Sequence, residues 1–166
     1  MIKYIAGVRF NAVVTSIATV LVLFSTGCEE PAIEIEDLSE SLYFETIGRG
    51  QTGDGRDVVE VVARDAESWA RLSTSVRPLA PFKKVDFSQA MVALIAIPTE
   101  SGGYSIEVET VESLNGVITI SYLLSEPGTD CITPTALALP SQAVFFKREE
   151  GEVRFVRRTE DYSCEM

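Results

Sequence analysis

The sequence predicts an α+β fold: about seven mostly antiparallel β-strands, arranged as a sandwich or a partly open barrel, with one helix packed on the sheet. Apolar and polar residues alternate at 104–111 and at 117–124, which predicts two strands with one buried face each. Asn115 and Gly116 lie between these segments and are typical of a two-residue hairpin turn. An amphipathic segment at 65–77 supplies the single helix.

Five further segments have the composition of short strands. The run 91–97 is continuously apolar, which predicts a central strand covered on both faces. The loop 149–151 is short enough to close a second hairpin, and the glycine-rich loop 48–55 is expected to be a flexible hairpin connection. The remaining strands are predicted at 42–48, 57–63, 142–148 and 153–158.

The predicted helix has its own start and stop signals. Asp65 can cap its N-terminus, and Pro78 stops it. Trp69, Leu72 and Val76 fall on one side because they are spaced by three and four residues. We therefore expect this side to pack on the sheet and to bury Trp69.

The first 27 residues have the layout of an export signal. Lys3 and Arg9 supply positive charge, residues 12–24 form an uncharged and mostly apolar stretch, and small residues precede Cys28. As a helix, this apolar stretch would span only about 20 Å, which is short of the roughly 30 Å hydrocarbon core of a bilayer. Residues 1–27 are therefore predicted to be a signal peptide.

Residues 25–28, Ser-Thr-Gly-Cys, resemble the bacterial lipobox, in which a peptidase cuts before a cysteine that has been diacylated. The resemblance implies a lipid anchor on Cys28. Ser25 stands where the motif usually has leucine, so cleavage without lipidation is the alternative. Glu29 implies sorting to the outer membrane if the host has one. Residues 28–41 are acidic and are expected to form a tether with little fixed structure. With the lipid anchor on Cys28, the protein is expected in the cell envelope.

The charge of the chain limits its partners. The formal net charge is −11, and removal of Lys3 and Arg9 from the 14 basic residues leaves 12 against 25 acidic residues, a net charge of −13. Such a surface repels nucleic acid and anionic lipid headgroups. We therefore expect no nucleic-acid partner, and we expect membrane attachment to need a covalent anchor.

The sequence predicts no catalytic residues, no metal and no cofactor. It contains no histidine, which excludes Ser-His-Asp and Cys-His catalysis and removes the commonest metal ligand. Glu107 and Glu109 would lie about 7 Å apart on one face of a strand. Nothing in the sequence predicts the burial that would raise the pKa of either carboxyl group, so this face is expected to be solvated.

Two cysteines remain once Cys28 is assigned to lipid. Cys131 and Cys164 form an even pair in a chain that is expected to be exported, so we predict a disulfide bond between them. Closing this loop would stabilise the fold by roughly 3 to 4 kcal/mol on chain-entropy grounds. The bond would also hold the polar C-terminal stretch 159–166.

Short motifs follow one another in a specific order between residues 57 and 148. They are Ser68-Trp69, Val85-Asp86-Phe87-Ser88, Met91-Val92, Pro98-Thr99, Gly102-Gly103-Tyr104-Ser105-Ile106-Glu107-Val108, Glu126-Pro127-Gly128, Cys131, Thr135-Ala136-Leu137 and Pro140. In this combination they resemble the C-terminal domain of the PrcB family, named for a lipoprotein subunit of a spirochaete surface protease complex. On this resemblance, residues 42–166 form a PrcB-like β-rich domain. The departures are the inserted Glu100-Ser101 and the pair Ser141-Gln142, where the family tends to carry an aromatic residue.

The resemblance implies a non-catalytic envelope lipoprotein domain that binds or stabilises another exported protein, with a protease as one candidate partner. The candidate recognition loop contains Pro98, Thr99, Gly102, Gly103 and Tyr104, although each of these residues also has a structural explanation. The same loop is similar to a loop of chagasin-type cysteine-protease inhibitors. This similarity makes protease inhibition one alternative function. Small-ligand binding is the other alternative.

Overall fold

The computed structural model describes residues 39–53, 55–76 and 84–165. The predicted signal peptide, Cys28, most of the predicted tether and Pro78 lie outside these residues. The described elements, in chain order, are β1 (Glu40–Ser41), β2 (Phe44–Gly50), β3 (Val59–Ala63), α1 (Ala66–Ser75), β4 (Ala90–Ala96), β5 (Ser105–Leu114), β6 (Val117–Pro127), β7 (Ser141–Lys147) and β8 (Glu152–Tyr162).

Two four-stranded sheets pack face to face. The strand order is β1-β5-β6-β8 in the first sheet and β2-β7-β4-β3 in the second sheet. All pairs are antiparallel except β6 with β8, which run parallel. The predicted α+β fold, mostly antiparallel with one helix, is therefore confirmed in its sandwich form, and the described strands do not close into a barrel.

The main core lies between the two sheets. Ile118, Ile120 and Tyr122, which alternate along β6, are almost completely buried. They form one apolar cluster with Met91 of β4 and Phe146 of β7. Burial of these residues from both sheets supplies the main apolar stabilisation of the sandwich.

Strand β4 is buried on both faces, as its continuously apolar sequence predicts. Met91, Ala93 and Ile95 belong to the core between the sheets. Val92, Leu94 and Ala96 belong to a second cluster on the outer face of the second sheet. A strand in this position has no solvated face, which is why it carries no alternating polar residues.

Helix α1 covers that outer face. Asp65 caps it as predicted, because its carboxylate accepts a hydrogen bond from the backbone N–H of Ser68 at 2.8 Å. Trp69 and Val76 are buried in the second cluster, and Leu72 packs against it. The predicted burial of Trp69 between helix and sheet is confirmed.

The predicted hairpin at 48–55 is wrong. This loop connects β2 to β3, which lie at opposite edges of the second sheet. The loop therefore passes across the end of that sheet, where the backbone N–H of Leu139 donates to the carbonyl oxygen of Gln51 at 3.0 Å.

The predicted hairpin at 149–151 is also wrong, because this loop leads from the second sheet to the first. β8 then pairs parallel with β6, and the backbone N–H of Glu152 donates to the carbonyl oxygen of Gly116 at 3.0 Å. Gly151 has a φ of +142°, and a Cβ atom there would lie 2.0 Å from the oxygen of Gly116. The turn at Asn115 and Gly116, in contrast, closes the predicted β5–β6 hairpin, with φ values of 49° and 78°.

Strand β1 was not predicted. Glu40 and Ser41 pair with Ser113 and Glu112 of β5, so the last part of the predicted tether joins the first sheet. Both residues are exposed, and they pair with β5 through the backbone. Their side chains therefore show no alternation from which a strand could be predicted.

Candidate functional site

The predicted recognition loop, residues 98–104, connects β4 to β5 and is fixed to the segment that precedes β7. Thr99 and Ala138 exchange two backbone hydrogen bonds of 2.9 and 3.0 Å. The backbone N–H of Gly102 donates to the carbonyl oxygen of Pro134 at 3.0 Å. These bonds connect the loop to the segment that precedes β7 at two points.

Gly103 lies where both the backbone conformation and the available space require glycine. Its φ is +93°, and a Cβ atom there would lie 2.9 Å from Cγ2 of Thr133. The hydroxyl group of Tyr162 donates a hydrogen bond to the carbonyl oxygen of Gly103 at 2.8 Å. The end of β8 therefore contacts the loop, and Gly103 has a structural role.

The residues after Tyr162 are held by a cluster around Asp130. Cys131 and Cys164 are joined by a disulfide bond, with their Cα atoms 5.1 Å apart. The carboxylate of Asp130 accepts hydrogen bonds from Oγ of Ser163 at 2.8 Å, from the N–H of Cys164 at 2.7 Å and from the N–H of Glu165 at 2.9 Å. These bonds, that of Ser163 first, hold the pKa of Asp130 below its usual value.

Two concave surfaces lie on either side of Leu137. Their volumes are about 430 and about 510 Å³, and Leu137 and Ala138 line both of them. The side chain of Leu137 is exposed, at 76% relative accessibility. We call the two concavities and the ridge between them the Leu137 surface. Gly53, Arg56, Pro98 and Thr99 line the smaller concavity, and Gly102, Gly103, Tyr104 and Pro134 line the larger one.

All five residues of the predicted recognition loop therefore line the Leu137 surface, although the bonds of Thr99, Gly102 and Gly103 also give them structural roles. Sequence reasoning did not single out Leu137 as a site residue, nor Ile132, which is fully exposed on the same segment. The sequence does contain a signal for these two residues. Both are large and aliphatic, and they lie in a stretch with no strand or helix periodicity, where burial in a core is not expected.

The two glutamates on β5 lie on an exposed face, as predicted. Glu107 pairs with Nη2 of Arg49 at 3.3 Å, and Glu109 pairs with Nη2 of Arg158 at 2.6 Å. The hydrogen bond from Arg158 lowers the pKa of Glu109. A lowered pKa keeps the carboxylate charged, whereas a general acid at neutral pH needs a raised pKa.

Two further features concern the described residues alone. No three or more of their histidine, cysteine, aspartate and glutamate side chains are arranged to hold a metal ion. None of the helices among them has the length and apolar composition to cross a bilayer.

Comparison with family models identifies a match to the family described as PrcB C-terminal. Residues 91–147 match the PrcB C-terminal family. The match runs from β4 to the end of β7 and includes both the 98–104 loop and Leu137. Over these residues the predicted PrcB resemblance is confirmed. Comparison with curated proteins and with solved structures gives no significant match.

The PrcB C-terminal match ends before β8. Tyr162 and Cys164, which fix the loop and the C-terminus, therefore lie beyond the matched residues. The Leu137 surface is built mostly from residues inside the match, together with the glycine-rich loop that precedes it.

Proposed function

We propose that this protein is a non-catalytic lipoprotein of the cell envelope that binds another exported protein through the Leu137 surface. The PrcB C-terminal match supports association with a protease complex, so a protease is the first candidate partner. Lipid on Cys28 would hold the domain at the membrane, which is the outer membrane where the host has two.

The observation that carries this proposal is the exposure of Leu137 on a fixed segment. An exposed apolar surface can mark a protein-binding site, and a large aliphatic side chain between two concavities can enter a pocket of the partner while the concavities accept the partner's side chains. The hydrogen bonds from Gly102 to Pro134 and between Thr99 and Ala138 hold the segment in place. Binding would therefore cost little additional conformational entropy.

Affinity capture of the full protein from its host, after mild crosslinking, tests the surface when two variants are compared with the wild type. Leu137→Asp places a charge on the ridge, whereas Tyr43→Asp changes a residue of similar exposure, 79%, outside the Leu137 surface. We expect the wild type and Tyr43→Asp to recover the same exported protein. Recovery by Leu137→Asp should fall about tenfold or more, the effect of a lost interface residue.

Two results would count against the proposal. Equal recovery by both variants would exclude the Leu137 surface as the binding site. Capture of no exported protein by the wild type would exclude the binding function itself.

The lipid anchor is tested separately. Mass spectrometry of the mature N-terminal peptide should show acyl chains on Cys28, and Cys28→Ala should abolish the acylation and the cleavage that follows it. An unmodified N-terminal residue on the mature wild-type protein would contradict the anchor.

A further inference from the structure

Strand β8 forms one edge of the first sheet. It pairs with β6 over eleven residues without a register shift, and no other described strand pairs with its opposite side. Natural edge strands are often protected by a proline, a β-bulge or charged side chains. β8 contains charged residues but no proline and no bulge, so its free side presents a regular row of backbone donors and acceptors.

The backbone groups of β8 point alternately to β6 and to the free edge. The N–H of Glu152 donates to the C=O of Gly116 at 3.0 Å, and the C=O of Tyr162 accepts from the N–H of Gly128 at 2.9 Å. At both ends of the strand, the backbone groups of an even-numbered residue therefore point toward β6. Because the direction alternates along a strand, the odd-numbered residues point toward the free edge. They are Val153, Phe155, Arg157, Thr159 and Asp161.

The charges of β8 reverse about Thr159. The three residues before it are Val156-Arg157-Arg158, and the three residues after it are Glu160-Asp161-Tyr162. At the first two steps away from Thr159, an arginine on one side corresponds to an acidic residue on the other, and at the third step an aliphatic residue corresponds to an aromatic one. All seven residues are exposed. The strand is therefore complementary to an antiparallel copy of itself.

We propose that two copies of this chain pair antiparallel through β8, with Thr159 on the two-fold axis, so that their first sheets form one continuous sheet. In this register Arg157 faces Asp161 of the second copy, and Arg158 faces Glu160 of the second copy. Because of the two-fold symmetry, each of these contacts occurs twice. The assembly stops at a dimer, because the free edge of β8 is then paired in both copies. Arg157, Thr159 and Asp161 supply the hydrogen-bonded pairs, since their backbone groups point to the free edge.

Shifted registers are less favourable. Centring the pair on Arg157 or Arg158 places that arginine opposite itself, and centring it on Glu160 or Asp161 places two carboxylates together. Like charges directly opposite each other destabilise a strand pair, whereas opposite charges stabilise it. The charge pattern thus favours the Thr159 register.

The own-chain contacts of Arg158 are compatible with this arrangement. Arg158 already bonds Glu109 at 2.6 Å and Glu160 at 2.8 Å, and a second Glu160 would extend the same alternating row of charges. The inference is independent of the Leu137 surface. The seven-residue interface is small, so we expect a dissociation constant in roughly the micromolar range.

Reciprocal charge variants test the pairing in the full chain, solubilised in non-ionic detergent and followed by sedimentation velocity over a concentration series. The wild type should form dimers. Arg157→Asp places two aspartates opposite each other at 157 and 161, and Asp161→Arg places two arginines there, so each variant alone should be monomeric. An equimolar mixture should dimerise again, because both facing pairs then carry opposite charges. Arg71→Asp, an exposed change on α1, should dimerise like the wild type.

A cysteine at the two-fold axis tests the register. In a hydrogen-bonded antiparallel pair the facing Cα atoms are about 5.5 Å apart, which suits a disulfide bond. Thr159→Cys should therefore give a covalent dimer on mild oxidation. Thr74→Cys, at an exposed position of α1, should give no more dimer than the wild type, which sets the background from the natural cysteines.

The inference would be overturned by a wild type that stays monomeric up to about 0.5 mM, well above the expected dissociation constant. A mixture of the two charge variants that stays monomeric would overturn it as well. So would a yield of covalent dimer from Thr159→Cys no higher than that from Thr74→Cys. Crosslinking of Thr159→Cys to a different protein would also overturn it, because the edge would then take another partner.

Discussion

The hydroxyl group of Tyr162 donates a hydrogen bond to the carbonyl oxygen of Gly103 at 2.8 Å, joining residues 59 positions apart. Through this contact the end of β8 supports the loop that lines the Leu137 surface. The Cys131–Cys164 disulfide bond and the carboxylate of Asp130 hold the residues that follow Tyr162. Removal of any of these contacts is therefore expected to destabilise both the loop and the C-terminus.

Gly103→Ala should lower the free energy of unfolding by about 1 to 3 kcal/mol, because a residue with a side chain is strained at a φ of +93°. The added Cβ would also press against Thr133. Gly55→Ala is the control, since its Cβ would make an ordinary contact at 3.4 Å with Leu139. Denaturant unfolding measures both. Equal stability of the two variants would contradict the structural role of Gly103.

Replacing both Cys131 and Cys164 by serine should lower the free energy of unfolding by roughly 3 to 4 kcal/mol, because the unfolded chain regains the entropy of an open 33-residue loop. Hydrogen exchange should also become faster at the C-terminus. Cys28→Ser leaves this pair intact and should change neither quantity. A double variant as stable as the wild type would mean that the bond adds nothing to the fold.

Asp130→Asn should destabilise the fold at neutral pH, and the difference from the wild type should disappear in acid. The pKa of Asp130 is lower in the folded state than its ordinary value of 3.8, so the ionised group stabilises the fold above that value. This contribution decreases as the pH falls below 3.8 and is lost below the folded pKa. Unfolding measured as a function of pH tests the sign.

The matched control for this pH series is Asp57→Asn, at an exposed position. Its stability should stay close to that of the wild type throughout. A difference between Asp130→Asn and the wild type that persists unchanged at low pH would show that ionisation of Asp130 is not the cause.

Gln142→Met should lower the free energy of unfolding by about 1 to 3 kcal/mol, because it leaves the buried N–H of Val108 without a partner. The Gln142 side chain is buried, accepts from the N–H of Val108 at 2.8 Å and donates to the hydroxyl of Thr46 at 2.8 Å, so it joins the two sheets. Gln89→Met, at an exposed position, should change stability by less than about 0.5 kcal/mol. Comparable losses in both variants would contradict a special role for Gln142.

Much of the local structure could be predicted from the sequence. The alternation in β5 and β6, the turn at Asn115 and Gly116, the cap at Asp65 and the burial of Trp69 each depend on residues close together in the chain. The disulfide pair could be predicted because only two cysteines remain after Cys28, so a single pairing is available.

The candidate site could be predicted only in part. The motif between Pro98 and Tyr104 indicated the loop, and the structure places this loop on the Leu137 surface. The contribution of Leu137 could not be predicted, because exposure of an aliphatic residue in an irregular segment depends on whether distant elements cover it. The structural role of Gln142 was missed for the same reason, since its partners lie on two other strands.

The sequence by itself determined seven of the eight described strands, where the helix begins, how the β5–β6 hairpin turns and which cysteines pair. Only the tertiary structure decided that β2 and β3 lie at opposite edges of their sheet, and that the chain leaves the second sheet after β7 so that β8 pairs parallel with β6. The physical reason is the range of the interactions. Propensity, periodicity and turn geometry act within a few residues, whereas the choice of a strand's partner depends on burial and hydrogen bonds between residues far apart in the chain.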